Sequence, residues 1–248
     1  MSVIVDQEIN EETPEPRPLP NLDMNIMVGD SLVDEYEGIK LFDESILKRK
    51  KAILKESSGI EDYTQQLSFL IDYSEEMLNE MFKLQDRYFD EINEERKNEL
   101  KERIDKLRDD LIEYKLSQDD NQTGLKKYDE LKKKKQKPYF LWYLEFAKVF
   151  QENGGFDVII GNPPYIGFHK VPNKEYFKQK YFSANGKYDF YVLFIERGIK
   201  LLKENGILSY ICPSYFYKRD YGKNIRKLVL NETKLNYICD FKDFQIFD

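Results

Sequence analysis

The run Phe156-Asp157-Val158-Ile159-Ile160-Gly161 stops against Asn162-Pro163-Pro164-Tyr165, and this junction constrains the fold more than any other stretch of the chain. Val and Ile favour extended backbone, where their branched side chains pack on a pleated surface. Proline can neither donate to a ladder nor continue a helix. The segment is therefore expected to form a strand from Phe156 to Ile160, ended by two conformationally fixed residues. An amide before the prolines and an aromatic after them make a poor turn for its own sake. They make sense if backbone carbonyls, an amide side chain and a ring must stand rigidly at the mouth of a pocket.

The sequence around this strand alternates helix and strand signals. "YFLWYLEFAKVF" reads as an aromatic helix released by Asn153-Gly154-Gly155. "YDFYVLFIERGIKLLKENG" reads as a second helix, with Asp189 as N-cap and Asn205-Gly206 as its stop. "ILSYICP" is expected as a buried strand closed by Pro213, "SYFYKRDYGKNIRKLVL" as a helix and "LNYICDF" as a final strand. Apolar strands separated by helices predict an α/β fold with a parallel sheet covered on both faces. Ligands in such sheets bind at the carboxyl ends of the strands.

Ahead of this region, residues 1–21 carry Pro14, Pro16, Pro18 and Pro20 among acids and are expected to form an extended or disordered lead-in. In "LDMNIMVGDSLV", Met24, Ile26 and Val28 alternate with other residues, predicting a short strand that ends at Gly29-Asp30. Residues from about 43 to 131 read as helix, with neither glycine nor proline between Gly59 and Gly124. Leu67, Leu70, Met77, Met81, Leu84 and Tyr88 follow a coiled-coil-like seam, which resumes at Leu100, Ile104, Leu107, Leu111 and Tyr114. "EINEERKN" between the two runs allows either an antiparallel hairpin or one long helix. The expected organisation is thus a lead-in at 1–21, a core at 22–34 and 138–248, and a helical insertion at 35–137.

Of the 248 residues, 41% are hydrophobic and 34% charged, with no apolar run long enough for a membrane span and no signal-peptide pattern. Cys212 and Cys239 sit in apolar segments and form no disulfide or zinc framework, so a reducing cytoplasm is the expected compartment. The net charge of −7 hides an asymmetry. From Lys132 onward, 21 Lys and Arg stand against 12 Asp and Glu, a balance of +9, whereas residues 1–131 carry −16. That split permits a nucleic-acid surface and equally fits a solvated helix joined to an ordinary domain. The single histidine, His169, excludes a multi-histidine metal site, and no metal is expected. It could touch a phosphate or simply face solvent from its loop.

In this setting "FDVIIGNPPYIGF" resembles the catalytic motif of amino-group DNA methyltransferases of the N6-adenine type. The flanking "KQKPYFLWYLEFAKVF" and "YDFYVLFIERGIKLLKENGILSYICPSYF" resemble the methylase portion of type IIG restriction-modification enzymes and their phage-defence relatives. The similarity runs in order from "NIMVGDSL" to "DFKDFQIFD". It implies a Rossmann-like methyltransferase sheet, here partial, in a prokaryotic protein that takes S-adenosylmethionine as cofactor and double-stranded DNA with a flipped adenine as substrate. It further implies that Asn162, Pro163, Pro164 and Tyr165 are catalytic, while Asp30 and Ser31 bind cofactor. Relatives of this type often carry Gly-Asn-Ser-Leu where this chain has Gly29-Asp30-Ser31-Leu32, and Asp30 also suits a helix N-cap.

The resemblance also sets expectations about what accompanies the chain. The family's glycine-containing cofactor loop and acidic ribose-binding residue would precede "NIMVGDSL", and neither is found there. The aromatic motif completing the base pocket, a target-recognition segment and any accompanying nuclease would be partners supplied from elsewhere. The chain is thus expected to hold the catalytic corner without the cofactor's half, and to bind S-adenosylmethionine weakly or not at all by itself. The rival expectation is a non-catalytic module whose helical insertion binds protein or the remainder of a split enzyme.

Overall fold

The computed structural model describes residues 26–36, 39–40, 61–118, 122–134 and 137–242, with backbone alone for 39–40 and 61–75. The expected lead-in at 1–21, the start of the first strand at Met24, the helix before residue 61 and the end of "DFKDFQIFD" lie outside the described residues, as do the side chains of Leu67 and Leu70. The chain divides into two compact units, one holding 58–138 with the residues before 30, the other holding 30–57 and 139–248.

The first unit is helical. Helix α1, Glu61–Asp90, and helix α2, Glu94–Gln118, are separated by Glu91, Ile92 and Asn93, so the hairpin layout holds rather than one long helix. The break is chemically specified. The Glu91 carboxylate accepts the N–H groups of Ile92 and Asn93, and the Asn93 side chain accepts the N–H of Arg96 at 3.0 Å as the N-cap of α2. Glu94 and Glu95 place negative charge on the first turn, where the helix dipole favours it. Met77, Met81, Leu84 and Tyr88 of the expected seam are buried on α1, and Ile104 and Leu111 on α2, together with Ile112 and Leu116. An ion pair from Arg103 to Glu80 at 3.2 Å spans the hairpin. Helix α3, Gln122–Lys134, joins α2 through the Tyr128 hydroxyl, which donates to Asp109 at 2.7 Å, and through a Lys132–Glu113 ion pair.

The second unit is α/β. A short antiparallel pair, β1 at Glu35–Tyr36 and β2 at Ile39–Lys40, is followed by helices α4, Trp142–Glu145, and α5, Ala147–Asn153. The expected aromatic helix is thus present but broken at Phe146. Gly154 ends α5 with a φ of 79°, a left-handed turn that glycine adopts without a Cβ clash. Strand β3, Phe156–Gly161, then pairs in parallel with β4, Leu202–Tyr210, and between them run α6, Lys174–Lys180, and α7, Tyr191–Leu201. A parallel pair requires such a crossover, since no hairpin can join strands running the same way.

Helix α7 is buried along most of its length, including the charged pair Glu196 and Arg197. Its Gly198 lies against the sheet: a Cβ there would fall 2.7 Å from Leu208 Cδ1 and 2.9 Å from the Tyr210 hydroxyl. The core around it gathers Leu32, Phe177, Tyr181, Tyr188, Tyr191, Leu193 and Ile225, with Leu208 and Tyr210 packed onto it. The other face is covered only at its start, where Phe156 packs on Trp142, Phe146 and Phe150. Further along it Val158, Ile160 and Ile207 are 51%, 79% and 55% exposed, so among the described residues the expectation of a sheet covered on both faces is met only in part.

Other expectations are corrected as well. Residues 26–28 are not a strand, and Ile26 and Val28 are exposed; alternation supplies a face, but a strand also needs a ladder partner, and none lies beside them among the described residues. Residues 234–241 likewise form no strand, with Tyr237 90% exposed. Helix α7 ends at Leu201, short of Asn205-Gly206, because Leu202 is taken into the ladder opposite Phe156. Asn205, at φ 63°, instead turns the chain within β4 before pairing resumes at Ile207. Asp189 does not cap α7, whose N-cap is Phe190. The segment after β4 is two 3-10 turns, Ser214–Tyr217 and Asp220–Gly222, leading into helix α8, Lys223–Glu232, rather than one helix.

Gly222 makes the closest approach in this region: a Cβ there would lie 1.9 Å from the Phe216 carbonyl oxygen, a backbone atom that cannot move alone. Gly222→Ala should therefore cost about 1–3 kcal/mol, as overpacking of a tight contact does. Thermal melts followed by circular dichroism should show a lower midpoint for this variant and an unchanged one for Lys223→Ala at the exposed neighbouring position.

Candidate active site

Register places the site. Gly161 lies opposite Tyr210, so β3 and β4 end together and deliver Asn162-Pro163-Pro164-Tyr165 and Ile211-Cys212-Pro213 side by side at their carboxyl ends. The Ile211 N–H extends the ladder by donating to the Gly161 carbonyl at 3.1 Å. The Tyr165 hydroxyl donates to the Ile211 carbonyl at 3.3 Å, tying the ring to the neighbouring strand end. Ile166 N–H reaches back to the Pro164 carbonyl at 3.0 Å, and Phe190 N–H donates to the Ile166 carbonyl at 2.8 Å. With proline fixing φ at two successive positions, little conformational freedom is left in this corner.

Within it, Pro163 is buried while Asn162, Pro164 and Tyr165 are exposed, Tyr165 by 51%. Among the described residues no hydrogen bond engages the Asn162 side chain or the Pro163 carbonyl. Both acceptors are therefore unspent. Partial burial, and then the Cys212 sulfur beside it, pushes the Tyr165 phenol up, so the ring stays neutral at physiological pH. His169 is exposed in the 3-10 turn Phe168–Lys170, where its carbonyl accepts from Lys174 at 3.0 Å.

Asp30 and Ser31 occupy a turn. The Asp30 side chain accepts the Leu32 N–H at 3.1 Å, and its carbonyl accepts the Val33 N–H at 3.1 Å. Asp30 therefore caps a turn rather than the N-terminus of a helix. Only one of its carboxylate oxygens is used this way, and the Ser31 hydroxyl has no partner among the described residues. No hydrogen bond or ion pair links this turn to Asn162–Tyr165 among the described residues; Leu32 belongs to the core against which Ile166 packs.

What fixes the turn is a set of residues that motif reading missed. The Trp142 indole donates to the Ser31 carbonyl at 2.9 Å, and Phe140 N–H donates to the Val33 carbonyl at 2.8 Å. The Tyr181 hydroxyl donates to the Leu32 carbonyl at 2.6 Å. Arg197 reaches the Asp34 carboxylate at 3.0 Å, the Leu32 carbonyl at 3.2 Å and the Tyr181 oxygen at 2.7 and 2.9 Å. Burial disfavours the charge on Arg197, but Tyr181 and Asp34 outweigh it and hold the guanidinium's pKa above its ordinary value. The same helix buries Glu196, whose carboxylate accepts from Phe182 and Ser183 N–H and from Lys200. Burial alone would raise its pKa; Lys200 and the Ser183 N–H bring it below the ordinary value. The available signal was the pair Glu196-Arg197 inside the apolar run "YVLFIERGI", since buried charges require partners.

Residues 52–247 match the model of the Eco57I restriction-modification methylase family, and the chain belongs to that family. It is 45% identical over 100 residues to the type II restriction enzyme and methyltransferase RM.Eco57I of Escherichia coli, a match covering 38% of this chain and 10% of that protein. It is 30% identical over 115 residues to the type II methyltransferase M.BstVI of Geobacillus stearothermophilus, covering 46% of this chain and 20% of the relative. Against the type II methyltransferase M.AccI of Acinetobacter calcoaceticus it is 36% identical over 99 residues, covering 38% and 18%. The matched region thus spans a fifth or less of each of these relatives. No helix among the described residues is long and apolar enough to cross a membrane.

Breaking the Arg197–Asp34 pair from one side leaves a buried, uncompensated carboxylate, a change that typically costs about 3–5 kcal/mol. Arg197→Met should show that loss in urea unfolding. Asp34→Asn keeps an acceptor for the guanidinium but leaves its charge uncompensated, and should also be destabilised. An unfolding midpoint unchanged in Asp34→Asn would mean that the charge pairing carries no weight.

Proposed function

We propose that this chain carries the catalytic corner of an S-adenosylmethionine-dependent N6-adenine DNA methyltransferase acting in restriction-modification or phage defence. The observation that carries the reading is the pair of unspent acceptors, the Asn162 side-chain oxygen and the Pro163 carbonyl, held beside the half-exposed Tyr165 ring. Membership of the methylase family supports it.

The exocyclic amino group of adenine is a poor nucleophile, because its lone pair is delocalised into the ring, and it is out of reach inside a stacked duplex. Enzymes that act on such a base rotate it out of the helix. At this corner the Asn162 oxygen and the Pro163 carbonyl accept one hydrogen bond each from the two amino N–H groups. Those acceptors favour a tetrahedral nitrogen and stabilise the positive charge that grows on it, without a dedicated general base. The two prolines keep the acceptors in place before the base arrives, so no ordering cost falls on the reacting complex. Tyr165 stacks on the extruded base, an interaction worth about 1–3 kcal/mol per base.

S-adenosylmethionine, when bound, supplies an electrophilic methyl group on its sulfonium. The residues present fit it in part: Asp30 has a free carboxylate oxygen and Ser31 a free hydroxyl, on a turn pinned from three directions. In this reading these two residues hold the cofactor's hydrogen-bonding end.

Asn162→Ala removes one acceptor, and losses of about 100- to 1000-fold in rate accompany removal of one preorganised polar partner. Transfer of labelled methyl from S-adenosylmethionine to DNA, by the protein as its gene encodes it, should fall by that order in Asn162→Ala. Methyl transfer that is unchanged in the variant would sink the role given to Asn162.

A further inference from the structure

Just beyond the catalytic corner, the chain leaving β4 exposes aromatic and basic side chains that the mechanism above does not use. In the 3-10 turn Ser214–Tyr217, Tyr215 is 60% exposed and Tyr217 39% exposed. The turn follows directly on Ile211-Cys212-Pro213, the strand end that lies beside Asn162–Tyr165 and accepts the Tyr165 hydroxyl at the Ile211 carbonyl. Lys218 and Arg219 follow and are exposed. One element further on, Lys223 and Lys227 stand four positions apart, on one exposed face of α8. None of these four cationic side chains forms an ion pair among the described residues. Asp220 is the exposed acid among them, and Asp240 lies near Tyr217.

The turn that presents them is a built surface. Phe216 N–H donates to the Tyr191 hydroxyl at 3.2 Å; that hydroxyl is bonded to Tyr221, which donates to Asp189 at 2.6 Å. Arg226 is spent on the backbone, donating to the carbonyls of Phe216 and Arg219. Gly222 closes against the Phe216 carbonyl. Buried tyrosines, an arginine and a tight glycine contact thus hold the backbone while Tyr215, Tyr217, Lys218 and Arg219 face outward.

We propose that the Ser214–Arg219 turn and the exposed face of α8 form a track for one DNA strand beside the Asn162 corner, with Tyr215 and Tyr217 stacking on unpaired bases and Lys218, Arg219, Lys223 and Lys227 meeting phosphates. The assignment rests on the adenine-methylation reading for its partner. Aromatic platforms combined with an unpaired basic stripe are what sequence-tolerant binding of an unstacked strand requires. An acidic protein partner would use the cations and leave the rings idle. Extruding a base leaves its neighbours without a stacking partner, and rings at the rim of the pocket can take that place.

Anisotropy titration of the full chain against a fluorescein-labelled single strand, repeated over a range of sodium chloride concentrations, tests the track. Each lost phosphate contact on a single strand reduces the slope of log affinity against log salt by about 0.7. K218Q/R219Q should therefore flatten the slope by about 1.4, whereas Y215A/Y217A should weaken binding about tenfold or more and leave the slope as it was. K133Q/K134Q, on exposed lysines of α3, should match the wild type. Absence of binding by the wild type, indifference to both variants of the track, or an equal loss in K133Q/K134Q would overturn the proposal. Intact binding together with methyl transfer to a base other than adenine would count against the adenine reading and leave the track standing.

Discussion

The parallel pairing of β3 with β4 is the constraint from which the rest of the second unit follows. Because the strands run the same way, the chain between them must cross over, and it does so through α6 and α7 with their aromatic core. Because Gly161 faces Tyr210, two strand ends open at the same level, one continuing into Asn162-Pro163-Pro164-Tyr165 and the other into Ile211-Cys212-Pro213. A slip by one residue would turn the inward Ile159 and Leu208 to the open face and move the proline corner away from Ile211. Helix α7 sets the register from below, with Gly198 allowing Leu208 and Tyr210 to pack directly onto it.

The same helix carries a second layer of organisation. Arg197 joins α7 to the turn at Asp30–Asp34, and the N–H of the N-cap Phe190 donates to the Ile166 carbonyl just past the proline corner, so the crossover helix is tied to both candidate halves of the site. An ion pair buried this way contributes little net stability against an apolar replacement, yet it is costly to break from one side. It fixes the turn against the core, with the Leu32 side chain fully buried.

Much of this could be seen in the residues. The strand at Phe156–Gly161 and its stop were legible because branched apolar residues and two prolines leave few alternatives. The helical hairpin was half-legible: the seam through Met77, Met81, Leu84 and Tyr88 was visible, but the break at Glu91–Asn93 depends on caps that look like any acidic stretch. What stayed hidden was set by tertiary pairing. Leu202 belongs to a strand because Phe156 is across from it, not because of its neighbours in sequence, and so α7 ends four residues before its Asn-Gly signal. Ile26–Val28 and Leu235–Ile238 have strand composition without a ladder partner among the described residues. Asp189 looked like a helix cap, yet its carboxylate serves a tyrosine thirty-two residues away. At the site, the acceptor corner was legible as a motif, whereas the clamp of Trp142, Tyr181 and Arg197 could be known only once the turn was seen against them.

The central claim is chemical: two fixed acceptors engage an exocyclic amino group of adenine. Mass spectrometry of nucleosides from DNA treated with the protein and S-adenosylmethionine carrying a labelled methyl group tests it most directly. Label should appear in N6-methyl-2′-deoxyadenosine and be lost when Asn162 is replaced by alanine. Label in 5-methyl-2′-deoxycytidine, or label in N6-methyl-2′-deoxyadenosine that persists in the alanine variant, would contradict the claim.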